Sequence, residues 1–410
     1  MIDNVGKDLK FPEGFLWGTA TSAHQVEGNN HNDWAEWEKS ERRINYLKSK
    51  GLNPENYISG IACDHYNHYE EDFDLAKAMN NNAHRFSIEW SRIEPEEGKF
   101  NRAEIEHYRK VICALKGRGI EPFVTLWHWT MPVWFVKKGG FEKRENIKYF
   151  IRFCERMAKE FSSEVKFWIV LNEPMVYAGM SYFRGDFPPQ KKSFFASLWV
   201  VNNLARAHNL VFKVIHDIDK KAMVGITASA NYFQGWMAPA MSWVWIFRFY
   251  NKIKNHQDFI GLNYYYRRLV KGFYFDIGEN SRSDMNWEIY PKGIYYVLKN
   301  LSRYKKPLYI IENGLADAQD KYRAKFVIDH LKWIHKAISE GIDVRGYFHW
   351  SLLDNFEWAY GFWPRFGLVE IDYSAKGGSA SGGKTLERKP RPSSWIYAEI
   401  AKANAIGKRL

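Results

Sequence analysis

Two glutamates stand where an unused glutamate would be costly. Glu173 follows the apolar run Lys166–Leu171 within Asn172-Glu173-Pro174, and Glu312 ends the run Leu308–Glu312 just before Asn313-Gly314. A carboxylate taken out of water without partners is strongly disfavoured, so both side chains are expected to have work to do. A pair of carboxyl groups can divide nucleophilic and acid–base roles between them. Other short apolar runs also end in polar or aromatic residues: His84-Arg85-Phe86-Ser87, Trp127-His128-Trp129, Asn263-Tyr264-Tyr265 and His349-Trp350. Each alone reads equally well as a capped helix start or a satisfied polar group. Their shared position at the ends of successive runs points to one site.

The runs must be held by a repeated element. Apolar segments rich in β-branched and aromatic residues recur at Phe15–Thr19, Ala83–Ser87, Glu121–Leu126, Lys166–Leu171, Met223–Thr227, Asp258–Asn263, Leu308–Glu312 and Val344–Trp350. Between them lie helical patterns at Tyr66–Met79, Ala103–Arg118, Ile147–Phe161, Phe194–Ile218, Tyr322–Ser339 and Trp395–Asn404. Strand–helix alternation repeated in this way predicts an α/β fold, a (β/α)8 barrel forming one catalytic domain over residues 1–410. Reactive groups in such barrels project from the C-terminal ends of the strands, where these polar residues fall.

Composition narrows the class. The chain has 410 residues, 46% hydrophobic, enough for a large core and against disorder. Its 18 Trp suit either a big scaffold or an aromatic-lined cleft, since aromatic faces stack on the C–H faces of sugars. The formal net charge of +12 comes from cations interleaved with 47 acids, which reads as a solvated surface rather than a nucleic-acid site. Cys63, Cys113 and Cys154 lack metal or disulfide spacing, so neither a metal nor a cofactor is expected, and a reducing cytoplasmic setting fits. The N-terminal MIDNVGKDLKFPEGFLWG has no secretory pattern. The aromatic stretch Trp236–Tyr250 is broken by Pro239 and Arg248 and falls short of a membrane span, so no membrane partner is expected. Ser374–Lys384 reads SAKGGSASGGK, a linker composition predicting a flexible inserted or engineered loop.

A set of ordered motifs carries a family likeness. FPEGFLWGTATSAHQVEG (11–28), HRFSIEWSRIEPEEG (84–98), TLWHWTMPVW (125–134), VLNEP (170–174), DFIGLNYY (258–265), IIENG (310–314), GYFHWSLLDNFEWAYGFWPRFGLVEIDY (346–373) and RKPRPSSWIYAEI (388–400) resemble glycoside hydrolase family one, the β-glucosidase and β-galactosidase family. The resemblance implies a retaining exo-β-glycosidase in which Glu312 is the nucleophile and Glu173 the acid/base. Such chemistry places two carboxyl groups roughly 5–5.5 Å apart across the glycosidic bond. It further implies that Arg85 and Tyr265 support Glu312 and that Asn172 binds the 2-hydroxyl of the sugar. Gln25, His128, Trp129, Glu357 and Trp358 would read the remaining hydroxyls. Asn263 would join the substrate-binding set, Trp350 would form the stacking floor, and Phe366 a pocket wall.

The resemblance further implies that the intact Glu357 disfavours 6-phosphosugar substrates and the intact Glu173 thioglucoside cleavage, because family members with those activities usually depart at these positions. A neutral β-glycoside or oligosaccharide is the expected substrate. Two segments depart from the family pattern. The passage from Gly225 to Asp258 is short and dense in aromatics, and Tyr266–Tyr309 is compact. The aromatic passage reads as an apolar entrance favouring aryl or alkyl aglycones, or as a packed cap over shortened loops. Two other readings stay open: a catalytically silent carbohydrate-binding barrel, and an engineered scaffold with remodelled loops.

Overall fold

The computed structural model describes residues 8–271, 274–276, 278, 280–374 and 385–409. Its centre is a ring of strands: β1 (Leu16–Ala20), β2 (Ala83–Ser87), β3 (Glu121–Thr125), β4 (Phe167–Asn172), β5 (Met223–Ser229), β6 (Ile260–Asn263), β7 (Leu308–Asn313) and β8 (Val344–Trp350). All neighbours pair in parallel and β8 closes on β1, making a complete barrel. All eight expected runs are therefore barrel strands, with ends shifted by a residue or two. Strands covered on both faces read as continuous apolar segments, and all six residues of β4 are buried.

The helices of ten residues or more are α1 (His65–Ala78), α2 (Arg102–Gly117), α3 (Ile147–Phe161), α4 (Phe194–Ile218), α5 (238–253, with a π-helical passage at Trp243–Phe247), α6 (Lys292–Leu301), α7 (Arg323–Ser339) and α8 (Pro392–Ala403). Their starts follow capping chemistry. Asn101 accepts from the amides of Ala103 and Glu104 ahead of α2, and Ser193 from Ala196 ahead of α4. In α3 the buried set Ile147, Phe150, Phe153, Cys154, Met157 and Phe161 recurs every three or four residues and faces the barrel.

The barrel interior is filled rather than open. Phe123 and Phe167 stack at 4.1 Å, with Phe259, Tyr309 and Phe348 around them. Gly18 makes that filling possible, because a Cβ there would lie 2.5 Å from the Phe348 ring. The compact passage before β7 holds α6, which was not anticipated, and the strands Arg267–Lys271 and Tyr274–Asp276, which form a small three-stranded sheet with Tyr232–Gln234 from the passage after β5. Of the expected loop Ser374–Lys384, residues 375–384 lie outside the described residues. Among the described residues no helix is long and apolar enough to cross a membrane.

Candidate active site

The polar strand ends converge at the C-terminal mouth of the barrel. Arg85, on β2, is fully buried and donates in three directions. Its Nε reaches Thr125 Oγ1 at 2.7 Å, Nη2 reaches Asn172 Oδ1 at 2.8 Å, and Nη1 pairs with Glu312 Oε1. Tyr265, just past β6, donates its hydroxyl to Glu312 Oε2 at 2.6 Å. Both oxygens of Glu312 are thus held by donors, one of them cationic.

Glu173 has a different setting. It sits between β4 and the helix Pro174–Ala178 in the left-handed region, at φ 42°. Asn263 Nδ2 donates to its Oε1 at 2.9 Å, and the same side chain interacts with Glu312. A single amide group therefore lies between the two carboxyl groups. Burial pushes Glu173 up to about 8, and the charge of Glu312 adds to the rise. Burial also raises Glu312, but Arg85 and Tyr265 oppose that rise. The ionised member of the pair is the one beside the guanidinium, and the proton resides on Glu173.

Asn172 is locked by the same network. Its Oδ1 accepts from Arg85, from Thr227 Oγ1 at 2.6 Å and from Asn263 Nδ2 at 3.3 Å. Its Nδ2 must then donate, and it meets His128 Nε2 at 2.9 Å. Nε2 is the acceptor, so the proton of this neutral imidazole is on Nδ1. Burial first, and then Arg85, depress the His128 pKa, in keeping with a neutral ring. His128 Nδ1 and Asn263 Oδ1 are buried with no protein partner. Unpaired polar atoms at the bottom of a cleft are the groups a polar ligand would satisfy.

A second cluster borders the first. Gln25 Nε2 donates to Glu357 Oε2 at 3.2 Å, and to Asn355 Oδ1 and Phe356 O, each at 2.9 Å. Ser22 Oγ donates to Gln25 Oε1 at 2.7 Å and fixes its flip. Glu357 is pushed up to about 8 by burial and by Glu312, against the Gln25 hydrogen bond. Trp129 Nε1 donates to Asn172 O at 3.0 Å, and its ring lies 4.7 Å from that of Trp358. Both tryptophans have positive φ, 76° and 49°. Such conformations in bulky residues cost of order ~1–3 kcal/mol and concentrate at functional sites. Trp350 stacks on His128 at 6.2 Å and packs in one cluster with Phe366, which also contacts Tyr265 at 6.1 Å.

The thirteen residues named from the sequence fall into this one network. Sequence reasoning missed Thr125, Thr227, Ser22 and Asn355, which orient the groups it named. The two threonines end or lie near the ends of β3 and β5, and that position was the signal available. The shortened passage after β5 packs on its inner side as the cap alternative expects. Ile246, Phe247, Phe249 and Tyr250 are buried as a cap, while Trp236 and Trp243 are exposed.

Known proteins share this sequence pattern and fold. Residues 7–240 and 248–406 match the model of Glycosyl hydrolase family 1. Beta-glucosidase A of Thermotoga maritima is 33% identical, over 97% of this chain and 99% of its own length. The structure of a beta-glycosidase from Pyrococcus horikoshii superposes with a TM-score of 0.87 at 41% identity, covering 98% of this chain and 97% of that one. A Thermotoga maritima beta-glucosidase in complex with deoxynojirimycin gives a TM-score of 0.87 at 32% identity, over 97% of this chain and 100% of that chain. The chain belongs to glycosyl hydrolase family 1 and is a glycosidase.

Proposed function

We propose that the protein is a retaining exo-β-glycosidase for neutral β-glycosides, with Glu312 as nucleophile and Glu173 as acid/base. The observation that carries the assignment is the unequal setting of the two buried carboxyl groups. Glu312 is ion-paired to Arg85, whereas Glu173 has no cation in direct contact among the described residues and is raised to about 8. A base-stabilised carboxylate suits attack, and a carboxyl group still protonated at neutral pH suits donation. One amide reaching toward both groups fits the short carboxyl spacing of a retaining site.

In the first step Glu312 attacks the anomeric carbon, the glycosidic C–O bond breaks, and the Glu173 proton passes to the leaving oxygen. In the second step Glu173, now a carboxylate, takes a proton from water. The resulting hydroxide adds to the anomeric carbon and releases Glu312. Two inversions return the β-anomer. In this reading Asn172 binds the 2-hydroxyl, Gln25, His128, Trp129, Glu357 and Trp358 read the others, and Trp350 and Phe366 wall the sugar face. The site as described needs neither metal nor cofactor for this chemistry, and we place the enzyme in the cytoplasm as a single catalytic domain.

A 2-deoxy-2-fluoro-β-glucoside with a good leaving group tests the assignment. Mass spectrometry of a digest should find the sugar ester on Glu312. Labelling of another residue, with Glu312→Ala still active, would overturn it.

A further inference from the structure

We propose that the aromatic face beside the cleft docks on an anionic lipid bilayer. Six of the twelve most exposed large apolar side chains among the described residues lie on three adjoining helical segments. They are Phe183, Phe194, Phe195, Trp199, Trp236 and Trp243, each between 53% and 72% exposed. The segments touch one another. The rings of Phe183 and Phe194 are 6.2 Å apart, and Ser197 Oγ donates to Ala178 O at 3.1 Å. The Trp245 ring covers Gly179, and Asn209 Nδ2 donates to Lys252 O at 3.1 Å. Helices α4 and α5 therefore run side by side, both starting at the barrel end that carries Glu173.

The exposed positions follow helical spacing. Phe195, Trp199, Asn202 and Arg206 form one stripe on α4, and Trp236, Pro239, Ala240 and Trp243 form another leading into α5. A soluble surface rarely groups so many aromatics without a partner. Tryptophan and phenylalanine beside lysine and arginine is the composition of surfaces that lie in the lipid headgroup region.

Charge selects the occupant. The interleaving of acids and bases seen elsewhere fails here. Residues 187–216 carry Lys191, Lys192, Arg206 and Lys213 with no acid, and residues 222–257 carry Arg248, Lys252 and Lys254 with no acid. At the rim, Arg184 pairs with Asp186 at 2.8 Å and Lys191 with Glu142. Lys192, Arg206 and Arg248 have no ion pair among the described residues. A second copy of the chain would bring cations against cations, whereas an anionic bilayer offers both an apolar layer and opposite charge. The missing membrane span does not bear on a surface contact.

Sedimentation with large vesicles tests the proposal. The full chain should partition onto equimolar phosphatidylcholine–phosphatidylglycerol vesicles at low salt, and much less onto phosphatidylcholine alone. F194S/F195S/W199S should weaken partition at least about tenfold, equal to about 1.4 kcal/mol, while a soluble aryl glycoside is turned over at an unchanged rate. K192E/R206E should remove the preference for phosphatidylglycerol, and added salt should mimic it. Failure to bind the mixed vesicles, or equal binding by both variants, would overturn the proposal. So would a dimer in sedimentation equilibrium that the aromatic substitutions dissociate, which would give the face to a second copy.

Discussion

Two carboxyl groups share one cleft, and their partners decide which keeps a proton. Glu173 is raised to about 8 by burial and, next, by the negative charge of Glu312. Esterification of Glu312 removes that charge, so the Glu173 pKa should fall once the intermediate forms, as its change from acid to base requires. Glu312→Gln imitates the loss. Carboxyl-carbon NMR should find Glu173 titrating lower in the variant than in the parent, and an unchanged or higher value would detach the two groups. The basic limb of kcat/KM in the parent should follow the same ionisation, with activity falling as pH rises through about 8. Glu357 makes a second residue-scale case. Among the described residues its carboxyl group is held by Gln25 alone, at 3.2 Å, leaving capacity for sugar hydroxyls. A β-xyloside lacks the 6-hydroxymethyl group and should lose roughly 1–3 kcal/mol of transition-state binding, about ten- to a hundredfold in kcat/KM against the β-glucoside. Equal rates on the two 4-nitrophenyl glycosides would remove Glu357 from the pocket. The sequence named Glu357 as a repelling charge for 6-phosphosugars. Burial lifts Glu357 to about 8, so its charge, and the repulsion with it, grows as pH rises through that value.

At the scale of elements, register is what turns neighbouring strands into a network. β4 and β5 pair with Asn172 opposite Thr227, which lets the threonine hydroxyl donate to Asn172 Oδ1 at 2.6 Å. Thr227→Val keeps the shape and deletes that donor, while Arg85 and Asn263 still satisfy the acceptor. The loss should be modest, about three- to tenfold in kcat/KM, in line with one neutral hydrogen bond. It should appear on substrates with a 2-hydroxyl and be small on a 2-deoxy glycoside, and Thr227→Ser should restore it. An equal loss on both substrates would make Thr227 a packing residue only. The sequence could not supply this contact. Apolar runs marked all the barrel strands because burial on both faces leaves that imprint, and ordered motifs marked Asn172 and Arg85. The partner of a side chain across a strand pair depends on register, which no single run records. The same limit explains α6. Its apolar set Ile294, Tyr295, Val297, Leu298 and Leu301 is buried, but it lies in a passage where the chain departs from the family pattern. In α5 the aromatics occupy both the buried and the exposed sides, so composition could not choose between cap and open face.

The whole molecule adds a dependence that no single motif announces. Asp33 lies outside the named motifs, yet its carboxyl group accepts from Met131 N at 2.7 Å and anchors the loop that carries His128 and Trp129. Burial raises it to about 8, opposed by that backbone hydrogen bond and aided by Glu89. Glu173 and Glu357 are raised to about 8 as well. Unfolded, such carboxyl groups titrate near 4, so the folded state binds more protons throughout the window between. Stability from these groups is complete below the unfolded value and is lost as pH rises through the folded one. The buried histidines act in the opposite direction: burial depresses His84 to about 3 and His208 and His330 to about 4. Their folded forms bind fewer protons below the unfolded value of about 6.5, so acid destabilises through them and nothing further changes above it. The two sets together leave an alkaline limb owned by the carboxyl groups. Tm should decline from about pH 6.5, where the histidine contribution ends, to about pH 8, and level off above it, as those groups are forced to ionise inside the fold. Asp33→Asn keeps the acceptor for Met131 N and cannot ionise, so its Tm should fall less steeply over that interval while the parent and variant converge on the acid side. Calorimetry across the interval reads the difference directly. Parallel slopes for the two proteins would show that Asp33 does not carry its proton into the folded state.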